Sequence, residues 1–350
     1  MEKNDFIPNR FDTIKLGLPI DECKIVLSKE IYRKILLEKK LLNTPYFIEN
    51  YGLFGINLLK VEKNIWDKKD HIILTISAKL LGDRYYELFF KDNIGRVVKI
   101  LKDYDIMEID VIEFLRKAIV HRCDITEDIR CGDKYLESLK RYPIYHKFKR
   151  ENYQTNVDIT KKIKSNFIHV AFYHKNIELI NKQKDFLKSY PTQKILTSFM
   201  GKYRLEITLK KYAVIRKYLG ITSTRVYSAP RSPKPIRLKQ VLLSKKNPCK
   251  EILYNTVFQV NKNKNLYLDF NKKSTLKRFI YKYAFDGLVK EQKSYDKVLK
   301  YLIDNTSNVS ASKKYVNSQK YLMNKEKYYK DGENIKALCD KIELLHSKLS

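Results

Sequence analysis

Three short stretches of this chain place ionisable or polar side chains at every second position, between apolar ones: Arg122-Cys123-Asp124-Ile125-Thr126, Ile168-His169-Val170-Ala171-Phe172-Tyr173 and Arg204-Leu205-Glu206-Ile207-Thr208. Residues that alternate with period two point to opposite faces of a β-strand, so Ile168, Val170 and Phe172 fall on one side and His169, Ala171 and Tyr173 on the other. If the three strands are neighbours with their polar faces aligned, two carboxylates, a phenol and an imidazole share one patch. Asp124 and Glu206 are hard oxygen ligands suited to Mg2+ or Mn2+, which polarises a phosphodiester and neutralises the charge developing on it. The Tyr173 hydroxyl would then attack phosphorus. A free phenol has a pKa of about 10 and needs activation, which the metal, His169 or Lys175 could supply. The product, a covalent phosphotyrosine, conserves the energy of the broken bond, so the strand could be rejoined without ATP.

Each residue also has an ordinary explanation. The chain holds 26 tyrosines, and most tyrosines in any protein pack or face solvent. Asp124 between Arg122 and Thr126 could be a salt-bridged strand residue, Arg204 and Glu206 could belong to cross-strand ion pairs, and His169 could be hydrogen-bonded near the core. Glu87, in an expected strand after a Gly-Asp turn, is a third candidate metal ligand, with a structural role as its alternative.

The surrounding composition narrows the substrate. Across 350 residues, Lys and Arg number 71 against 40 acidic residues, a formal charge of +31. The excess runs along the whole chain rather than in a tail, so it belongs to folded surface and points to a polyanionic partner. Nucleic acid fits better than a membrane surface, because no basic amphipathic anchor stands out. Five scattered cysteines, Cys23, Cys123, Cys131, Cys249 and Cys339, form no C-x-x-C pair, which speaks against a structural zinc site. The first residues lack the charged and then apolar run of a secretion signal, so none is expected, and no apolar run approaches the roughly 20 residues needed to cross a bilayer. A cytoplasmic protein with reduced thiols is expected.

The elements that would carry these strands can be read in order. Phe11 to Leu18 reads as an opening strand, and Ser28 to Leu42 as a helix behind a Ser28 cap. Three strand-like runs follow, Ile56 to Val61, Ile72 to Leu80 and Tyr85 to Phe90, the last two joined by a hairpin at Leu81-Gly82-Asp83. Helices are expected over Ile94 to Lys102 and, behind Asp110, to Val120. The polar stretch Cys131 to Lys164 reads as surface. A helix should follow Tyr173, and another should end at Gly220. Ser228 to Pro235 holds three prolines and breaks the pattern. The predicted organisation is α+β: a sheet domain over residues 1–227, a proline-rich basic linker over 228–240, and a helical C-terminal domain over 241–350. Within the last, Ser310 to Met323 could be a reader helix with Lys313, Lys314 and Asn317 facing DNA, or an ordinary solvated helix.

At the three strands the sequence resembles the replication initiators of the filamentous-phage gene II/X family and their plasmid relatives. Phe11-Asp12-Thr13-Ile14-Lys15-Leu16 is similar to that family's opening, His121 to Thr126 to its Arg-x-Asp strand, Val170 to Leu179 to its Tyr-x-Lys segment, and Tyr203 to Lys210 with Tyr218-Leu219-Gly220 to its Arg-hydrophobic-Glu strand and following helix. The motifs keep the family's order over roughly residues 11 to 220. The resemblance implies a central antiparallel sheet flanked by helices and a rolling-circle replication initiator, an endonuclease that nicks one strand of a double-stranded origin. Such an enzyme becomes joined to the 5′ phosphate through tyrosine and frees a 3′ hydroxyl as primer.

Tyr173 maps onto the family's nucleophile, with Lys175 two residues on; Asp124 and Glu206 map onto its acidic strand positions. No His-hydrophobic-His pair occurs, so carboxylate ligation of Mg2+ or Mn2+ is expected. Arg122, Arg204 and Lys210 on the same strands are expected to contact DNA. Origin duplex, single-stranded DNA, a host helicase and the replication machinery are the partners implied. Two other readings remain: a mobilisation relaxase using the same chemistry, and an origin-binding regulator that does not nick.

Overall fold

The computed structural model describes residues 8–22, 27–64, 67–161, 167–222, 235–260, 297, 300 and 329–347. Nine strands are formed: β1 (Phe11–Pro19), β2 (Leu42–Asn43), β3 (Ile56–Lys63), β4 (Asp70–Ser77), β5 (Ile119–Arg130), β6 (Phe148–Asn152), β7 (Asn156–Lys161), β8 (Ile168–His174) and β9 (Lys202–Lys210). They make one sheet in the order β2-β3-β4-β1-β5-β9-β8-β7-β6. The central pairs are antiparallel, and helices accompany the sheet, so the chain is α+β. The described residues fall into two compact units, one within Met1–Gly132, Glu151–Cys249 and Lys341–Ser350, the other within Asp133–Arg150 and Lys250–Asp340.

The three motif strands are direct neighbours in the order β5-β9-β8. Their register sets Thr126 opposite Glu206 and Glu206 opposite Ala171, and it sets Arg204 between Asp128 and Tyr173. Side chains directly opposite one another share a face. All the polar alternates of the three strands therefore lie on one face, while Cys123, Ile125, Val170, Phe172, Leu205, Ile207 and Leu209 fill the other and are buried. Phe172 stacks on Tyr203, ring centroids 5.2 Å apart, which anchors β8 to β9 on the apolar side. The chain leaves β8 at His174, whose ring accepts from the Ile177 backbone N–H at 3.4 Å and caps the helix Lys175–Lys182. That turn carries Lys175 back over the polar face.

Several elements differ from the expectations. In place of a hairpin, Ala78–Glu87 is a run of 3-10 turns. Gly82 has φ +61°, and a Cβ there would come 2.7 Å from the Tyr190 ring, so the glycine serves a close approach as well as a turn. The helix after Ser28 spans Lys29–Tyr32 and continues as a wider π turn to Leu37, leaving Leu42 free to enter β2. The polar stretch from Cys131 contains structure: Tyr135, Leu136 and Leu139 are buried on the helix Lys134–Arg141, and Val157 and Ile159 alternate into the core from β7.

The compact units also divide the chain differently from the expected boundary. Past Pro235, the Ile236 carbonyl accepts from Val120 N–H at 2.8 Å and Leu238 N–H donates to the Ala118 carbonyl at 2.9 Å. Ile236, Leu238 and Val241 are buried there, because the chain resumes an apolar pattern as soon as the prolines end. The helix Tyr329–Ser347 is the last element described. The expected reader helix with Lys313, Lys314 and Asn317, the expected helical C-terminal domain over 261–328 apart from 297 and 300, and Cys23 lie outside the described residues. Among the described residues, no helix is long and apolar enough to cross a membrane.

Candidate active site

The polar face of β5, β9 and β8 is organised around Arg204, whose side chain is 0% exposed. A charge removed from water must be matched closely, and this one is. Nε and Nη2 bind the two oxygens of Asp128 at 2.7 and 2.8 Å, and Nη1 reaches Asp12 Oδ1 at 2.7 Å and the Tyr85 hydroxyl at 2.8 Å. Tyr85 in turn donates to Asp12 Oδ1 at 3.2 Å. Opposite Arg204 on β8 stands Tyr173, half-buried, whose hydroxyl donates a short hydrogen bond to Glu206 Oε1. The same carboxylate oxygen lies 4.0 Å from Arg204 Nη1. Asp12, Glu206 and Tyr173 each keep part of their surface exposed.

Two lysines complete it. Lys175 is 2% exposed, and its ammonium lies 5.3 Å from the Tyr173 ring centre, 5.1 Å from that of Tyr85 and 2.8 Å from Glu178 Oε2. Gln183 joins the pair to Lys79, accepting from Lys79 Nζ at 2.7 Å and donating to Glu178 Oε1 at 3.3 Å.

These contacts push the titratable groups in different directions. Burial, reinforced by the negative charge of Asp12, raises the Glu206 carboxyl to about 7, against the opposing pull of Lys175 and Arg204. Burial would also raise Asp12, but Arg204, Lys175 and Lys79 outweigh it and hold that carboxyl below the usual range. Burial and the nearby Glu206 charge push the Tyr173 phenol well above its ordinary value, so it keeps its proton unless a base takes it. Burial lowers the Lys79 ammonium. The site thus holds one carboxylate fixed in its charged form and one poised near neutrality, hydrogen-bonded to a phenol.

Other expected site residues are placed elsewhere. His169 shares the polar face with Tyr173 but stands four positions back along β8, about 13 Å away at the rise of an extended strand, and its Nε2 lies 3.2 Å from Asp158 Oδ1. Asp124 is buried and held by both Nε, at 2.8 Å, and Nη2 of Arg122. Glu87 engages Arg84 and Arg96. The three carboxylates expected to bind a metal are therefore each tied to a different partner: Arg122, Tyr173, or Arg84 with Arg96. Among the described residues, no three His, Cys, Asp or Glu side chains are grouped so as to hold a metal ion. Arg204 is too deeply enclosed to contact DNA. Arg122 and Lys210 face each other across β5 and β9 at the far end of the polar face.

Asp12, Tyr85, Asp128, Lys79 and Glu178 were not singled out from the sequence. Asp128 only required the β5 alternation to be followed two residues further. Asp12 is hidden by a register shift between Phe11 and Thr13: counting back by twos from Leu16 and Ile14 would send it to the apolar face, and the extra residue turns it to the polar one. No protein-family model matches the chain, and no characterised protein matches it by sequence.

Proposed function

We propose that this protein is a rolling-circle replication initiator that nicks one strand of its origin by tyrosine transesterification. The observation that carries this reading is the Tyr173 hydroxyl hydrogen-bonded to Glu206 on the polar face of the sheet, with Arg204 beneath and Lys175 beside it. A phenol needs a base to become a nucleophile, and a carboxylate near neutrality in direct contact is suited to that task.

In the proposed step, Tyr173 Oη attacks the phosphorus of the scissile phosphodiester as its proton passes to Glu206. The bond from phosphorus to the 3′ oxygen breaks, and that oxygen takes up a proton from solvent. The 5′ phosphate stays on Tyr173. Lys79, only partly covered, supplies positive charge beside the phosphate oxygens, where charge builds in the transition state, and the enclosed Lys175 acts on them and on Tyr173 through its field. Asp12 and Asp128 are positioning residues that hold Arg204, and through it the geometry of Tyr173 and Glu206. Mg2+ or Mn2+ belongs to the proposal through the family resemblance, as an ion that would neutralise charge on the phosphate; among the described residues the side chains do not form a ready ligand set.

The test is supercoiled plasmid carrying the cognate origin, incubated with the protein with and without a divalent ion. Relaxed circles and DNA covalently attached at Tyr173 are expected. Origin binding without a nick in either condition would leave the regulator reading in its place.

A further inference from the structure

The polar face does not end at Glu206. Four residues further along β9 comes Lys210, about 13 Å away at the rise of an extended strand and, by the period of two, on the same face. The register places Arg122 opposite Lys210 and Lys15 opposite Arg122, so three cations stand in a row across three adjacent strands. They line an open cleft of about 760 Å³, whose walls also include Lys63, Lys211 and the acidic Glu62.

Lys15 and Lys210 have no carboxylate within ion-pair distance among the described residues. Glu62 is engaged by Lys60 at 2.5 Å, and Arg122 is engaged by Asp124. Burial lowers the Lys15 ammonium, and Lys60, Arg122 and Lys210 lower it further against the opposing pull of Glu62. Like charges packed this way repel one another, and an anion in the cleft relieves the repulsion. Lys211 is held on the wall in a left-handed backbone conformation, φ +70°, with its ammonium 3.9 Å from the Phe167 ring centre. His121, which also lines the cleft, is pushed down to about 4 by burial and by the Lys15 charge, so the positive potential comes from the lysines. The volume lies in the range of pockets that hold drug-sized ligands, which suits a short run of one strand and not a double helix.

We propose that this cleft is a phosphodiester-binding subsite that holds single-stranded DNA flanking the phosphate delivered to Tyr173, with Lys15 and Lys210 as its principal phosphate contacts. The proposal rests on the nicking function for its substrate, but its test reads binding alone. A labelled single-stranded oligonucleotide is titrated by fluorescence anisotropy against the wild type, a Lys15→Gln/Lys210→Gln variant, and a control Lys184→Gln/Lys188→Gln variant that removes the same charge from exposed positions of the helix Lys184–Ser189, which does not line the cleft.

Loss of two charge-assisted contacts should weaken binding at least about tenfold. It should also reduce the slope of log affinity against log salt by about 1.4, at about 0.7 for each single-strand phosphate contact. Thermal melting of the cleft variant should match or exceed that of the wild type, which separates lost contacts from lost folding. An unchanged affinity and slope in the cleft variant, or an equal loss in the control variant, overturns the proposal. So does an equal loss of duplex binding, because the cleft is then not reserved for one strand. If the protein nicks no DNA but the cleft variant alone loses affinity and slope, the subsite stands and the nicking function falls.

Discussion

The two ends of one sheet face are built on opposite electrostatic principles. Around Arg204 nearly every charge has a partner: Asp128 and Asp12 on the guanidinium, Glu178 on Lys175, Gln183 on Lys79. Around Lys210 the cations of neighbouring strands crowd together with little to oppose them. Matched charges in a low-dielectric setting fix geometry and tune proton affinity without needing a ligand. Unmatched charges at a half-exposed edge fix little and attract anions. On the proposed function, one strand, β9, would serve proton transfer at Glu206 and backbone binding at Lys210.

That contrast is sharpest at Tyr173. Tyr173→Phe removes the nucleophile and keeps the ring, so nicking should fall by at least about 10³-fold, while oligonucleotide affinity and its salt slope stay at wild-type values. Normal nicking by this variant, followed over time on agarose gels, would move the nucleophile elsewhere, and with it the division of labour between the ends.

Glu206→Gln comes next. Loss of the base should cost roughly 10²- to 10⁴-fold in nicking rate, and the variant should lose the pH dependence of the wild type. With a carboxyl at about 7, wild-type rate should rise as pH passes upward through that value, because only the carboxylate accepts the proton. The stability effect has the opposite sense: a folded-state value raised from 4.5 to about 7 favours the native state at acid pH, and that contribution is lost as pH climbs from 4.5 through 7. Urea midpoints measured across this window should decline in the wild type more than in Glu206→Gln. Parallel curves would show that Glu206 titrates as it does in the unfolded chain.

Arg204→Leu tests the matched end as a structural device. Removing one partner of a buried ion pair leaves Asp128 and Asp12 uncompensated, at a cost of about 3–5 kcal/mol, read by chemical denaturation. Arg204→Lys should recover only part of it, since an ammonium cannot reproduce the bidentate contact with Asp128. At the unmatched end the same measurement should give the smallest effect and the reverse sign. Lys210→Gln relieves repulsion on Lys15 and should change stability by no more than about 0.5 kcal/mol, toward the more stable side. A large loss of stability there would show that Lys210 is structural after all.

Much of this was legible in one dimension. The alternation in Arg122 to Thr126, His169 to Tyr173 and Arg204 to Thr208 identified three strands and their polar faces, because a period of two is imposed by the extended backbone itself. Asp110 as a helix cap and Gly220 as a left-handed terminator were readable for the same local reason; Asp110 accepts from Ile112 N–H at 2.7 Å, and Gly220 has φ +64°. The strands β6 and β7 escaped notice because they are short and their apolar positions few. Tyr85 and Lys79 reach the site from a run of 3-10 turns that has no sequence period to betray it.

The sequence by itself determined which side chains could share a surface: Asp124, Tyr173, Glu206, Arg122, Lys210. Only the tertiary structure decided which of them meet. Strand order and register are set by the packing of the opposite, apolar face, by Phe172 on Tyr203 and by Leu205 and Ile207 in the core, and shifting any pairing by one residue would turn the polar set inward. That packing separated His169 from Tyr173, locked Asp124 to Arg122, enclosed Arg204, and brought Asp12 from more than 150 residues away in the chain to charge the site in which Glu206 faces Tyr173.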